Sequence, residues 1–184
     1  MPIYTIIAGV NGVGKSSLTG VLKAERNDLG YVIDVDKIAF DNDCSAIESG
    51  KMALNKIEEC LSKNVSFGQE TTLSGMRTEK TILSASDKGY EVRLFYIGLN
   101  TYDESIKRIK NRVEKGGHNI QEEDVHRRHS KRFDDLIKIL PYCTEVHLFD
   151  NENGFVEVAE YKNGEIITKG DYRPKWLCEL IKLI

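Results

Sequence analysis

The chain has 184 residues and a mass of 20.9 kDa, which fits one domain over residues 1–184. Hydrophobic residues make up 40% and charged residues 30% of it, a composition that excludes disordered and collagen-like classes. The formal net charge of −3 supplies no overall positive field, so the composition argues against nonspecific nucleic-acid binding.

Neither a membrane segment nor an export signal is evident. No apolar stretch approaches the roughly 20 residues that span a bilayer, and the opening MPIYTIIAG is predicted to be a strand. Cys44, Cys60, Cys143 and Cys178 form no CxxC pair, so they are predicted to be reduced core thiols. The sequence therefore predicts a cytoplasmic protein that binds no membrane.

Apolar runs of strand length alternate with stretches of helical period. The predicted strands cover residues 3–8, 31–34, 65–69, 90–99 and 145–150. The predicted helices cover about 15–27, 46–63, 77–88, 103–115 and 121–140. This alternation predicts an α/β fold with a mostly parallel five-stranded sheet that helices cover on both faces.

The last part of the chain, about residues 152–184, has a different pattern. Two β-type runs flank Asn163-Gly164, a strong signal for a tight hairpin, and a short helix follows near residues 176–184. Between the two preceding helices, residues 116–118 read Gly-Gly-His within a charged segment. The segment of about 112–130 is therefore a candidate lid.

Residues 9–16 read GVNGVGKS and match the phosphate-binding pattern GxxxxGK(S/T) between the first predicted strand and helix. Glycines let such a loop wrap a phosphate, Lys15 is expected to reach the β and γ phosphates, and Ser16 to ligate Mg²⁺. The predicted ligands are ATP and Mg²⁺. The predicted nucleotide-binding residues of this segment are Gly9, Asn11, Gly12, Val13, Gly14, Lys15, Ser16 and Ser17.

Acidic residues stand at the ends of two further predicted strands. Asp34 and Asp36 close the second strand, and Glu70 closes the third. Because the carboxyl ends of parallel strands share one edge of the sheet, these side chains can converge above the γ-phosphate. The alternative for each is a helix cap, since acids at strand ends often cap the next helix.

Cations cluster on both sides of the candidate lid turn. Most such charge runs are solvated helix faces, but a lid that closes over a triphosphate needs arginines to neutralise its charge. At least one is therefore predicted to be catalytic. The cluster consists of Lys107, Arg108, Lys110, Arg112, Lys115, Arg127, Arg128, Lys131 and Arg132.

The chain resembles the zeta toxin family of P-loop kinases, in its compact branch often labelled as predicted ABC-type ATPases. The resemblance rests on GVNGVGKS, on IDVDKIA at residues 33–39, on SFGQETTLSG at residues 66–75 and on NRVEKGGHNIQEEDVHRRH at residues 111–129. It runs from about residue 3 to residue 151, and the last two motifs are its most specific part.

The resemblance implies a nucleoside-monophosphate-kinase-like three-layer α/β sandwich and ATP-dependent phosphorylation of UDP-N-acetylglucosamine, with an antitoxin as a protein partner. By position, it implies that Asp36 is the catalytic base, that Glu70 with Thr71 binds the sugar substrate, and that Arg112 contacts the phosphates. His118 stands where larger toxins carry a second arginine. His118, Arg127 and Arg128 are therefore alternative second phosphate contacts.

The sequence is also compatible with two other functions. The chain could be a housekeeping nucleotide or metabolite kinase with the same fold. It could instead be an ATP-switched module in which nucleotide orders the lid for a protein partner. Asp36 and Glu70 favour phosphotransfer to a small metabolite over switching.

Overall fold

The computed structural model, which describes residues 1–117 and 119–184, is built on one mixed sheet. Its strands are β1 (Ile3–Ala8), β2 (Tyr31–Ile33), β3 (Phe67–Thr71), β4 (Glu91–Gly98), β5 (Glu145–Asp150), β6 (Val156–Lys162) and β7 (Glu165–Thr168). They lie in the order β2-β3-β1-β4-β5-β6-β7. Strands β1 to β5 are parallel, and β6 and β7 are antiparallel. The predicted edge hairpin thus extends the sheet to seven strands in place of five.

The helices surround this sheet. They are α1 (Lys15–Glu25), α2 (Val35–Asn42), α3 (Ala46–Lys63), α4 (Arg77–Asp87), α5 (Tyr102–Glu114), α6 (Glu122–Ser130), α7 (Arg132–Ile139) and α8 (Lys175–Ile181), with a 3₁₀ turn at Leu140–Tyr142. The sequence did not predict α2, whose eight residues are too few to show a helical period. The Asp34 side chain starts α2 by accepting hydrogen bonds from the amides of Asp36 and Lys37.

The prediction of a single helix over residues 121–140 is wrong, because this segment forms two helices that meet at Lys131. The first buries Val125, and the second buries Phe133 and Leu136 against the main core. The turn between them lets each short helix direct its own apolar residues inward.

Two apolar clusters cover the two faces of the sheet. The larger one joins β1, β3 and β4 to α3, α4, α7 and α8, and the smaller one joins β1 and β4 to α1. Because both faces of the central strands are covered, β1 and β4 are buried almost continuously, whereas β5 alternates between buried and half-buried residues. This arrangement confirms the predicted three-layer α/β class.

Two smaller expectations can be compared with the structure. Within the described residues, no helix combines the length and the apolar character that a membrane span requires. The four cysteines carry free thiols, but Cys178 is exposed on α8, so the prediction of core thiols is wrong for that residue. The opposite face of α8 carries the buried side chains, which leaves Cys178 on the solvent side.

Candidate active site

The phosphate loop connects the end of β1 to the start of α1. Gly14 has φ +99°, and a Cβ there would lie 2.6 Å from Nδ2 of Asn151, so the loop needs glycine for both conformation and space. No side chain among the described residues caps the start of α1. The amides of this helix start are therefore available to an anion, and the helix dipole favours one.

Lys15 lies on this loop and folds back over it. Its Nζ donates to the carbonyl oxygens of Gly9 at 2.9 Å and Val10 at 3.1 Å. Burial lowers the pKa of the Lys15 ammonium to about 8, against the opposing effect of nearby carboxylates, of which Glu70 is the strongest. The ammonium is thus held by weak neutral acceptors, and a polyphosphate is a better partner for it.

The two acids after β2 have different surroundings. Asp34 is the N-cap of α2, and burial raises the pKa of its carboxyl above the usual value although backbone amides donate to it. Asp36 lies one residue into α2, is exposed, and lines the same cavity as Lys15. Asp34 also lines this cavity, but Asp36 is the more exposed of the two carboxylates and does not cap a helix.

Glu70 contacts α1 directly. Its carboxylate accepts hydrogen bonds from the hydroxyl of Ser16 at 2.8 Å and from the hydroxyl of Thr19 at 2.7 Å. Burial raises the pKa of Glu70 above its usual value, against the effect of both hydroxyls. The structure therefore places Glu70 beside the predicted metal ligand, Ser16. Hydroxyl and carboxylate oxygens are the hard ligands that Mg²⁺ prefers, so this corner fits the ion.

Thr71, the last residue of β3, is fixed by local contacts. Its hydroxyl lies 3.2 Å from that of Thr78 and accepts from the amide of Leu73. Its carbonyl oxygen accepts from the amide of Gly9, at the start of the phosphate loop. Thr71 thus connects the phosphate loop to the start of α4.

The lid arginines differ sharply in what they contact. Nη1 of Arg128 donates to Oδ1 of Asn11 in the phosphate loop at 2.8 Å, and its Nε is buried without a hydrogen-bond partner among the described residues. Arg127 is turned away, since it pairs with Asp124 at 2.6 Å and its side chain is 55% exposed. Arg112 lies in the last turn of α5 and lines the cavity with Arg128. His118 lies outside the described residues.

One cavity of about 1070 Å³ contains most of the predicted site residues. Those that line it are Asn11, Gly12, Gly14, Lys15, Ser16, Ser17, Asp36, Glu70, Thr71 and Arg112. Gly9 and Val13 belong to the same loop but pack against the protein interior. A Cβ on Gly9 would be 2.5 Å from the carbonyl oxygen of Ile97, and Val13 is fully buried.

Three further residues support the site: Thr19 and Asn151, which were not singled out from the sequence, and Arg108, which was predicted only as a member of the lid cation cluster. Thr19 holds Glu70 from α1, Nδ2 of Asn151 donates to the carbonyl of Val13 at 2.8 Å, and Arg108 donates to the carbonyl of Asn151 at 2.6 Å. Asn151 directly follows β5, so its place at the carboxyl edge of the sheet was a usable signal. The other two contacts depend on tertiary packing.

Solved structures with a similar fold include a toxin–antitoxin system and a protein described as a putative kinase. A structure of the PezAT chromosomal toxin–antitoxin system of Streptococcus pneumoniae matches 100% of this chain and 84% of its own, with a TM-score of 0.64 and 18% identity. The AvrRxo1-ORF1:AvrRxo1-ORF2 complex with ATP matches 98% of this chain and 63% of its own, with a TM-score of 0.66 and 19% identity. The fold is that of the zeta-toxin-like P-loop kinases, which confirms the predicted class.

Sequence comparison gives a narrower assignment. No protein-family model matches the chain. An uncharacterised protein of Haemophilus influenzae is 33% identical over 126 residues, which cover 66% of this chain and 88% of that protein. The chain belongs to the family of this Haemophilus influenzae protein.

Proposed function

We propose that the protein is a Mg²⁺- and ATP-dependent kinase that transfers the γ-phosphoryl group to a hydroxyl group of a small metabolite. The observation that carries this proposal is the common cavity of Lys15, Asp36, Glu70, Arg112 and Arg128. Phosphoryl transfer needs positioned cations around the phosphates and a carboxylate near the acceptor, and this cavity contains both. A binding module that is only switched by nucleotide has no need of the acceptor carboxylate.

The nucleotide half of the cavity is the phosphate loop with the lid arginines. The amides at the start of α1 and the Lys15 ammonium would hold the β and γ phosphates. Arg112 and Arg128 would neutralise charge on the transferred group from the opposite side, and the Asn11 contact already holds Arg128 at the loop. Of the three alternatives for the second phosphate contact, this geometry favours Arg128.

The metal side consists of Ser16 and Glu70. Bound Mg²⁺ would offset the negative charge of the phosphates. Ser16 would ligate it through the hydroxyl that now donates to Glu70. We therefore assign Glu70 to the positioning of Ser16 and of metal-bound water, in place of the substrate role that the family resemblance implied.

Asp36 is the proposed base for the acceptor hydroxyl. It is exposed, it lines the cavity, and its charge acts on the Lys15 ammonium. A carboxylate in hydrogen-bond reach of the hydroxyl can orient it and accept its proton as the oxygen attacks phosphorus. Thr71 follows Glu70 in the chain, lines the same cavity and would orient the same group.

The acceptor half of the cavity has two kinds of wall. Helix α3 contributes the apolar residues Leu54, Ile57 and Leu61, and α4 contributes Arg77 and Lys80. An apolar wall suits a planar or alkyl part of a ligand, and the two cations suit an anionic part. UDP-N-acetylglucosamine, or a related nucleotide sugar, has this combination and is our leading acceptor.

The proposal also covers a protein partner, the domain organisation and the location of the protein. The PezAT neighbour is a toxin–antitoxin system, so an antitoxin is the protein partner that we propose for this chain. We also propose that residues 1–184 act as one cytoplasmic domain, with about 112–130 as a lid over the nucleotide. The acidic composition supports no nucleic-acid partner.

The test is phosphate transfer to an unidentified acceptor. The protein is incubated with ATP, Mg²⁺ and a metabolite extract, and mass spectrometry follows every metabolite that gains a phosphate. We expect one acceptor class to be modified, ATP use to rise when the extract is present, and both to disappear in Asp36→Asn. Equal ATP use with and without extract, and no modified metabolite, would favour the ATP-switched module instead.

A further inference from the structure

Three metal-ligating side chains meet on the hairpin edge of the sheet, apart from the residues that line the cavity. They are His147 on β5 and Glu157 and Glu160 on β6. Nδ1 of the histidine and one carboxylate oxygen of each glutamate all lie within 4.8 Å of one another. All three side chains are half-buried, so the group is neither a loose surface cluster nor sealed from solvent.

The histidine ring is held in place on two sides. It stacks on Phe95 with 5.1 Å between the ring centroids and an angle of 11° between the planes. Its Nε2 lies 2.7 Å from Oε1 of Glu145, and Arg93 in turn donates to Glu145. A histidine that binds metal typically donates its other ring N–H to a carboxylate, which fixes the ring and directs the free nitrogen at the ion. Glu145 occupies that supporting position here.

The Lys169 ammonium bridges the two glutamates of this cluster. Nζ of Lys169 lies 2.8 Å from Oε1 of Glu157 and also contacts Oε1 of Glu160. Nδ1 of His147 lies 2.5 Å from the same Glu157 oxygen. The two glutamates of β6 are therefore held together by contacts with the Lys169 ammonium and the His147 ring.

We propose that His147, Glu157 and Glu160 form a binding site for a divalent transition-metal ion such as Zn²⁺. The ion takes the place of the Lys169 ammonium, which swings out, and it binds the His147 tautomer whose proton is on Nε2, beside Glu145. The Lys169 side chain is 38% exposed, so the route outward is open. The two half-buried carboxylates keep a cation between them in either arrangement.

The ligand chemistry selects the kind of ion. One imidazole nitrogen and two carboxylate oxygens suit Zn²⁺ or Co²⁺, with water in the remaining position. Mg²⁺ prefers an all-oxygen octahedral shell, so the hairpin site would be distinct from the Ser16 corner in ion as well as in place. A bound ion would tie β6 to β5 and stabilise the junction between the parallel sheet and its antiparallel edge.

The test uses the metal alone with the full chain, without nucleotide. After chelator treatment, Co²⁺ binding is followed by its visible absorption, and the unfolding temperature is measured with and without Zn²⁺. We expect one Co²⁺ per chain and a rise of roughly 5–10 °C at a Zn²⁺ concentration a hundredfold above its Kd. His147→Gln should lose both effects, and His126→Gln, which removes an exposed histidine elsewhere, should keep both.

The Lys169→Met variant makes the test independent of folding defects in the histidine variant. Removal of the competing ammonium should tighten Co²⁺ binding at least tenfold, and a second change, Glu160→Gln, should reverse this gain. Co²⁺ binding that is equal in the wild-type chain and in His147→Gln would overturn the proposal. So would binding that appears only after Lys169 is removed, because the natural chain would then contain an ion-pair network and no metal site.

Discussion

The guanidinium of Arg128 lies 2.8 Å from the side-chain oxygen of Asn11, although 117 residues separate the two in the chain. This contact joins α6 to the phosphate loop. The adjacent Arg127 instead pairs with Asp124 at 2.6 Å, whereas the guanidinium of Arg128 lies 3.9 Å from that carboxylate. Two adjacent arginines in one charged helix therefore have different contacts.

The first prediction concerns these two arginines. Arg128→Ala should lower kcat on the order of a thousandfold, because it removes a cation from the transferred phosphate, as in enzymes that use an arginine finger. Arg127→Ala is the matched control and should change kcat less than about threefold, since exposed ion pairs contribute little. Steady-state kinetics measure both. The reverse ranking would assign the phosphate contact to Arg127.

The second prediction concerns Lys15. Lys15→Ala should abolish measurable phosphotransfer, because the γ-phosphate loses its fixed positive partner. The circular dichroism spectrum should stay native, since the hydrogen bonds of the ammonium within the described part of the chain go to two loop carbonyls. Full activity in this variant would remove the basis of the proposed kinase.

The third prediction follows from the lowered pKa of Lys15, which is about 8 in the free protein. Bound triphosphate favours the ammonium and raises this pKa, so ATP binding should take up a proton between about pH 8 and the ordinary lysine value of 10.5. Calorimetry at pH 8.5 in buffers of different ionisation enthalpy measures the uptake. The proton uptake should fade near pH 6.5, where Lys15 is already charged before ATP binds.

Lys15→Arg provides the control for this experiment. A guanidinium keeps its proton throughout this pH range, so ATP should bind to the variant without proton uptake. If the variant takes up as many protons as the wild-type chain, a group other than Lys15 is responsible.

The fourth prediction separates the two acids that follow β2. Asp36→Asn keeps the shape of the side chain but removes the proton acceptor, so kcat should fall while the KM for ATP stays nearly constant. Asp34→Asn should retain most activity, because asparagine is as good an N-cap as aspartate. Excess Mg²⁺ should not rescue Asp36→Asn. A rescue would show that Asp36 acts through the metal and is not the base.

The fifth prediction tests the assignment of Glu70 to the metal side. Glu70→Gln weakens the charge beside Ser16, so half-maximal activity should require several-fold more Mg²⁺, with little change in the KM for acceptor. Glu58→Gln, on the α3 wall of the same cavity, should show no such shift in Mg²⁺ dependence. A raised acceptor KM at unchanged Mg²⁺ dependence in Glu70→Gln would restore the substrate role implied by the family resemblance.

Local chemistry determined much of the fold. The buried runs of β1 and β4, the helical periods between the strands and the Asn163-Gly164 turn are short-range patterns, and the sequence predicted each of them. The two failures have different origins. Helix α2 is too short for a periodic signal. The break at Lys131 is marked by no glycine or proline, and the helix that follows it buries Phe133 in the main core.

By itself, the sequence determined the phosphate loop and its position. GVNGVGKS is a short contiguous motif, and it lies between a clear strand and a clear helix. Only the tertiary structure decided which arginine meets the loop, which hydroxyls hold Glu70, and that His147 faces two glutamates of β6. Each of these contacts joins different elements. Strand order and helix docking set such distances, and no spacing along the chain records them.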